Sequence, residues 1–197
     1  MKKVWKPGAL LAPVPPTMVS CGTMEKPNIL TVGWTGITCT DPAQTYISVR
    51  KQRHSHSIIS QNGYFVINLP TVSLAKACDF CGVKSGKDIN KFAHLGLTPV
   101  KSENSGCPTI AECPLSIECK VDRIIELGTH DMFLADILAV RADERLLDES
   151  GKLCMERADL AAFMHGEYFA LGKSIGKFGF SAAKKKKHSH PPVKKKS

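Results

Sequence analysis

The sequence has no apolar run that approaches the roughly 20 residues needed by a membrane-spanning helix. Residues 1–6 are basic, as in a secretory signal, but Pro13, Pro15 and Pro16 interrupt the only apolar stretch that follows. We therefore expect no membrane span and no export, and predict a cytoplasmic protein. With 197 residues, the chain is long enough to bury one sizeable core.

A regular cysteine spacing is also missing, although the chain contains eight cysteines. This argues against a disulfide-stapled secreted scaffold and favours reduced thiols. Cys78 and Cys81 form a C-x-x-C pair, but zinc sites usually join two such pairs and no second one is present. A thioredoxin-like pair would begin a helix, whereas this pair lies towards the end of one. We predict no metal site; a redox or metal role for Cys78 and Cys81 stays open.

Acidic residues are too few to balance the basic ones, and the formal net charge is +9. Seven of these positive charges are lysines within residues 182–197, so residues 1–181 carry only +2. This tail is low in complexity and too polar to pack, which predicts a disordered polybasic segment without a specific nucleic-acid partner. One alternative is a non-enzymatic binding protein that uses the tail to reach nucleic acid or membrane.

About six strands, with antiparallel neighbours and short helices between them, favour a mostly-β, closed or nearly closed barrel. The absence of a regular βαβ alternation disfavours a doubly wound fold, and no internal repeat is present. Residues 132–140 are apolar on nearly both faces, which predicts burial against helices or beneath a dimer partner. Strands are predicted over residues 17–23, 28–34, 45–50, 64–69, 115–122 and 132–140. Three helices are predicted. The first begins at Ser55 or Ser57, which acts as its N-cap, and ends at Gly63. The second covers residues 73–81, and the third covers residues 88–95 with Gly96 as its C-terminal cap.

Seven short motifs follow one another along the chain. They are residues 28–36 (NILTVGWTG), 38–42 (TCTDP), 47–55 (ISVRKQRHS), 59–68 (ISQNGYFVIN), 85–92 (SGKDINKF), 128–130 (GTH) and 168–172 (YFALG). Their shared order and spacing resembles that of the flavin reductase-like, flavoredoxin-like family of FMN-binding split-barrel proteins. The resemblance implies a split β-barrel domain over residues 1–181, with residues 1–16 as an extended arm, and a homodimer that binds FMN.

The phosphate of FMN requires anion-binding groups. Arg50 and Arg53 offer forked donors, and Ser55 stands where a helix begins and backbone N–H groups are free. The alternative is that residues 50–56 form a solvated basic loop. The resemblance adds further cofactor-binding residues to this pocket: His54, Ser85, Gly86 and Lys91.

The isoalloxazine ring requires a flat and mostly dry slot. The resemblance places Trp34, Thr35 and Gly36 along the ring, where backbone amides can bind its heteroatoms and glycine permits a close approach. It places Cys39 and Ser48 beside the slot. Ordinary core packing is the alternative for Trp34.

Two further residues are expected at the ring. The resemblance places His130 near the exposed ring face, where a nicotinamide or substrate would arrive. Hydride transfer requires no acid or base from the protein, so His130 is expected to position the reactants. Tyr168 is expected to cover the site from the C-terminal segment, although both residues are equally well explained as surface groups without a role.

The resemblance implies an oxidoreductase that passes electrons from NADH or NADPH through FMN to free flavin or another acceptor. The alternative within the family is a flavoredoxin-like carrier that a partner protein reduces. No G-x-G-x-x-G fingerprint is present, so the choice of nicotinamide stays open. FMN is favoured over FAD because no adenine site is evident.

Overall fold

The computed structural model describes residues 1–182, and the predicted tail lies almost entirely outside this range. The strands are β1 (Thr17–Gly22), β2 (Pro27–Val32), β3 (Thr35–Thr40), β4 (Ala43–Arg50), β5 (Tyr64–Leu69), β6 (Pro99–Lys101), β7 (Pro108–Ile110), β8 (Leu115–Glu126), β9 (His130–Ala142), β10 (Ala161–Met164) and β11 (Glu167–Ala170). Seven of them form one antiparallel sheet in the order β2-β1-β5-β8-β9-β4-β3, and β6–β7 and β10–β11 form separate hairpins. The helices are α1 (His54–Asn62), α2 (Ala75–Val83) and α3 (Lys91–Leu95).

The large sheet curls until its two ends meet around a shared core. Leu30 and Val32 of β2 pack in the same buried cluster as Ile47 and Val49 of β4, although the two strands lie near opposite ends of the sheet. Ile59 of α1 is fully buried in this cluster. β2 and β4 are not hydrogen-bonded neighbours in the sheet, and the barrel is therefore split at this seam. Besides side-chain packing, one backbone hydrogen bond from Ser48 N to Trp34 O, 2.9 Å long, spans the seam.

Strands β1 and β2 are buried on both faces. Their alternate residues Met18 and Ile29 belong to a second buried cluster, with Cys78 and Cys81 of α2 and Phe92 of α3. Helices α2 and α3 therefore cover the face of β2 that turns away from the barrel core. This packing brings the loop between α2 and α3 next to the barrel seam.

The predicted start of the first helix is wrong. Helix α1 begins at His54 after Arg53, whose side chain makes no capping hydrogen bond, so neither Ser55 nor Ser57 is the N-cap. Ser55 is buried instead, and its Oγ accepts a hydrogen bond from Asn28 Nδ2 at 2.7 Å. Long-range packing thus overrides the local capping preference of serine.

The predicted double burial of residues 132–140 holds for only half of that segment. Phe133 and Ala135 are fully buried, whereas Leu138 and Val140 are 39% and 54% exposed. Burial of this outer half against helices is therefore wrong, and burial beneath a dimer partner stays a prediction. Among residues 1–182, no helix has the length and apolar character to cross a membrane.

Candidate functional site

A cleft of about 210 Å³ lies at the seam, between the start of α1 and the α2–α3 loop. We call it the cationic cleft, because four of its residues are Arg or Lys and none of the described residues that line it is acidic. Its lining residues are Leu30, Arg50, Gln52, Arg53, His54, Ser55, Val83, Lys84, Ser85, Gly86 and Lys91. An uncompensated positive charge in a concave site favours an anionic ligand.

The N-terminus of α1 contributes a further positive potential to this cleft. The helix has nine residues, and no acidic side chain lies in its first turn. Arg53, His54 and Ser55 stand at this terminus and line the cleft. The free N–H groups and the helix dipole therefore face an anion-binding position.

Lys91 is a buried cation without a carboxylate partner among residues 1–182. The residue is only 3% exposed, and its Nζ donates hydrogen bonds to Ile29 O at 2.6 Å and to Cys81 O at 2.8 Å. An ammonium group carries three N–H donors, so one donor is left over at a residue that lines the cleft. Burial lowers the pKa of Lys91. A bound anion would supply the missing counter-charge.

Gly86 holds the α2–α3 loop close to β2. A Cβ atom at this position would collide with Oδ1 of Asn28 and would lie 3.2 Å from Cδ2 of His54. Asn28 in turn donates to Ser55 Oγ in α1. The glycine therefore permits a three-way contact between the loop, the strand and the helix that together shape the cleft.

A second, smaller opening of about 80 Å³ continues from the first, and the two share Leu30, Arg50 and Arg53. We call it the ring cleft. It is lined by Leu30, Thr31, Val32, Gly33, Trp34, Ser48, Val49, Arg50, Arg53 and His130. Trp34 is half-exposed, and its ring meets the His130 ring edge-on, with the ring centroids 5.2 Å apart.

Pairing between β4 and β9 sets the position of His130, because His130 is the register partner of Arg50. Burial, followed by the charge of Arg50, lowers the pKa of His130, which favours the neutral imidazole at pH 7. The next residue, Asp131, is buried and accepts from His56 Nε2 at 2.8 Å. This contact ties the start of β9 to α1.

The predicted site residues fall into two groups. The structure brings most of them together in the two clefts: Trp34, Ser48, Arg50, Arg53, His54, Ser55, Ser85, Gly86, Lys91 and His130. Thr35, Gly36 and Cys39 lie on the edge strand β3 and line neither cleft. Tyr168 also lies elsewhere, in the cluster around Cys78, and its predicted covering role gains no support from this position.

Two polar residues of the cationic cleft were not predicted from the sequence, namely Gln52 and Lys84. Lys84 directly follows α2, and Gln52 lies in the turn between β4 and α1. The sequence shows that the segments around Gln52 and Lys84 are basic and polar. It does not show that they lie on the same cleft, because that depends on how α2 packs against β2.

The cysteine pair lies in the second buried cluster of the core. No group of three or more potential metal ligands is found in residues 1–182. Cys78 and Cys81 are fully buried, and burial raises the pKa of Cys81 to about 11 and that of Cys78 to about 12. Such thiols stay protonated and unreactive at neutral pH.

Comparison with known proteins identifies the family. The model of the flavin reductase-like domain matches residues 11–172. The chain belongs to the flavin reductase-like family. A flavoredoxin of Desulfovibrio vulgaris is 32% identical and superimposes with a TM-score of 0.86, covering 93% of this chain and 100% of the flavoredoxin. An uncharacterized protein of Archaeoglobus fulgidus is 34% identical over 125 residues, which are 64% of this chain and 71% of that protein.

The similarity extends to other members of the family. A flavoredoxin of Methanosarcina acetivorans is 25% identical, with a TM-score of 0.82 over 93% of this chain and all of that one. These matches confirm the mostly-β split-barrel fold that the motif order predicts. Membership in the flavin reductase-like family also supports a flavoprotein of the oxidoreductase class.

Proposed function

We propose that the chain binds FMN, with the phosphate in the cationic cleft and the isoalloxazine ring along the ring cleft. The observation that carries this proposal is Lys91, a buried ammonium that lacks a carboxylate within the described residues and lines the cleft. Arg50 and Arg53 add forked donors, and the N-terminus of α1 adds backbone N–H groups. This donor set suits a phosphate group.

FMN would supply two-electron chemistry to the site. The residues of the chain hold and orient the reactants: the segment at Gly33 and Trp34 bounds one side of the ring cleft, and His130 stands at its edge. The neutral imidazole of His130 offers a hydrogen-bond partner without adding charge beside Arg50. We propose that His130 positions the nicotinamide of NADH or NADPH against the cofactor.

The ring cleft alone is too small to enclose a three-ring system, since ligand sites commonly span about 300–1,000 Å³. Several large apolar side chains are exposed near this end of the barrel, including Trp34, Ile124 and Leu127. A second copy of the chain would cover such side chains and close the ring cleft. We therefore propose a homodimer.

An electron carrier is the second candidate. The similarity to two flavoredoxins, with the chain covering the full length of both, favours it. In this case a partner protein reduces the bound FMN, and NADH leaves the flavin oxidised.

The deciding experiment is a visible absorption spectrum of the full-length protein titrated with FMN and then with NADH or NADPH in the absence of oxygen. Stoichiometric binding followed by bleaching of the flavin bands supports the reductase, and binding without bleaching supports the carrier. A protein that takes up neither FMN nor FAD contradicts the proposal. A variant that lacks residues 182–197 is the control: it keeps both responses unless the basic tail is responsible for the activity.

A further inference from the structure

A third cavity of about 430 Å³ lies between the N-terminal arm and the β10–β11 hairpin. We call it the arm cavity. None of the described residues that line it is Asp, Glu, Lys or Arg, and His165 is its single titratable side chain. Its lining residues are Ala9, Leu10, Leu11, Ala12, Val14, Gly33, Trp34, Phe163, His165 and Gly166. An apolar cavity of this size with one polar group is typical of a small-molecule site.

Hydrogen bonds hold two walls of the arm cavity together. Val14 and Phe163 exchange a pair of backbone N–H···O bonds, both 2.9 Å long, which ties the arm to β10. Phe163 also packs edge-on against Tyr168, with ring centroids 5.1 Å apart. His165 and Gly166 form the tight turn of the hairpin, both with positive φ. The imidazole is thus carried on a short hairpin at one side of the cavity.

The arm cavity is next to the ring cleft. Gly33 and Trp34 line both openings, so a segment of two residues separates them. The two sites differ in charge, because the ring cleft contains Arg50 and Arg53 whereas the arm cavity contains no fixed charge among the described residues. A ligand of the arm cavity is therefore expected to be uncharged and different in kind from a nucleotide.

We propose that the arm cavity binds an uncharged, flat cyclic carbonyl compound of one or two rings, namely a quinone. The ring would pack against Trp34 and Phe163, and a carbonyl oxygen would accept a hydrogen bond from His165. A role for this compound as electron acceptor rests on the proposed FMN function. The balance is complete, because a quinone takes up two electrons and two protons to become a hydroquinone, and a fully reduced flavin releases the same number of each.

Equilibrium dialysis of duroquinone against the full-length protein tests the site directly. Every ring carbon of duroquinone that could add to a thiol carries a methyl group, so the cysteines do not interfere. We expect saturable binding of one molecule per chain, with a dissociation constant on the order of 10–100 micromolar. The measurement is made without added flavin and again with saturating FMN, and does not depend on enzymatic turnover.

Two variants fill the arm cavity without touching the cationic cleft, namely Ala9→Phe and Val14→Phe. Each should weaken duroquinone binding by roughly tenfold or more, because a phenyl ring occupies the space of the ligand. Ala111→Phe, at an exposed position outside all the cavities described, is the matched control and should bind normally. Thermal unfolding midpoints verify that all three variants fold.

The outcomes separate this inference from the proposed function. Loss of FMN binding in Arg50→Ala with duroquinone binding retained supports two independent sites. Absence of saturable binding in the wild-type protein, or equal binding in the wild-type protein and both filled variants, overturns the arm-cavity proposal and leaves the FMN proposal intact. Dissociation of a dimer by Ala9→Phe, without duroquinone binding to the wild-type protein, assigns the cavity to a second copy and also overturns it.

Discussion

The cationic cleft and the ring cleft are continuous but are built in different ways. The cationic cleft draws on α1, β2 and the α2–α3 loop, and its key groups Lys91 and Ser55 are buried and hydrogen-bonded. The ring cleft is formed by strand ends, and its aromatic residue Trp34 is half-exposed. Rigid, pre-organised donors give affinity, whereas an open wall leaves room for a reactant to approach. We therefore expect changes in the first cleft to alter cofactor affinity and changes in the second to alter rates.

The largest effect is expected from Lys91→Met. The affinity for FMN should fall by about 1.5–3 kcal/mol, or roughly 10- to 150-fold, because a charge-assisted hydrogen bond to the phosphate is lost. Fluorescence titration measures the change. Riboflavin, which lacks the phosphate, should bind the variant and the wild-type protein equally.

The exposed Lys101 provides the control for this substitution, since Lys101→Met removes the same charge at a residue that does not line the cleft. If Lys91→Met lost the same affinity for FMN as for riboflavin, the substitution would act on the fold and not on a contact with the phosphate.

Gly86→Ala should act on the shape of the cationic cleft. The new methyl group collides with the Asn28 side chain, so we expect a loss of about 1–3 kcal/mol in the free energy of unfolding and weaker FMN binding. Urea unfolding measures the first effect. Gly172→Ala is the control, because a Cβ at that position meets no atom within 4 Å. Asn28→Ala in the same chain should restore part of the lost stability; a Gly86→Ala protein as stable as the wild type would refute the close contact.

His130→Ala should alter rate and not affinity. We expect reduction by NADH to slow by roughly tenfold, because the nicotinamide loses a positioning contact, while FMN affinity stays unchanged. Stopped-flow absorbance measures the rate under anaerobic conditions. His94→Ala, on the exposed surface of α3, is the matched control. An unaltered rate in His130→Ala would remove the residue from the reaction.

The smallest effect concerns pH. Because burial lowers the pKa of Lys91, its ammonium loses its proton at a lower pH than an exposed lysine does. The protonated form binds phosphate, so FMN affinity should decrease as the pH rises towards the ordinary lysine pKa, and the decrease should begin at a lower pH than for an exposed lysine. Lys91→Met should show a flatter dependence over this range. A decrease of the same size in both proteins would assign the titration to another group.

Most of the sheet could be predicted from the sequence, because strands such as β5 and β8 lie with one face or both in the core and show the expected patterns. The edge strand β3 could not, since Gly36 weakens strand propensity and Ile37 points an apolar side chain to the exterior. The hairpin β6–β7 was missed because Pro99 and Pro108 resemble loop residues.

The candidate site could be predicted only where its residues are close in sequence or follow the family pattern. Residues 50–55 form a continuous basic segment at a helix start, so chemistry alone indicates an anion site there. Lys91 could be predicted only from the family resemblance. No local pattern indicates its burial, because that burial depends on hydrogen bonds to the backbone of β2 and α2. Lys84 carries no local signal, and its place in the cleft follows from how α2 packs on β2.

The wall at Gly33 and Trp34 has a consequence for how the two cavities communicate. If a ligand in the arm cavity shifts Trp34, it changes the affinity of the ring cleft for its own ligand. Thermodynamic linkage then requires that a ligand in the ring cleft change the affinity of the arm cavity by the same factor. Occupancy of one cavity would then be reported by titration of the other. A segment of two residues, shared by both openings, would thus carry the coupling between them.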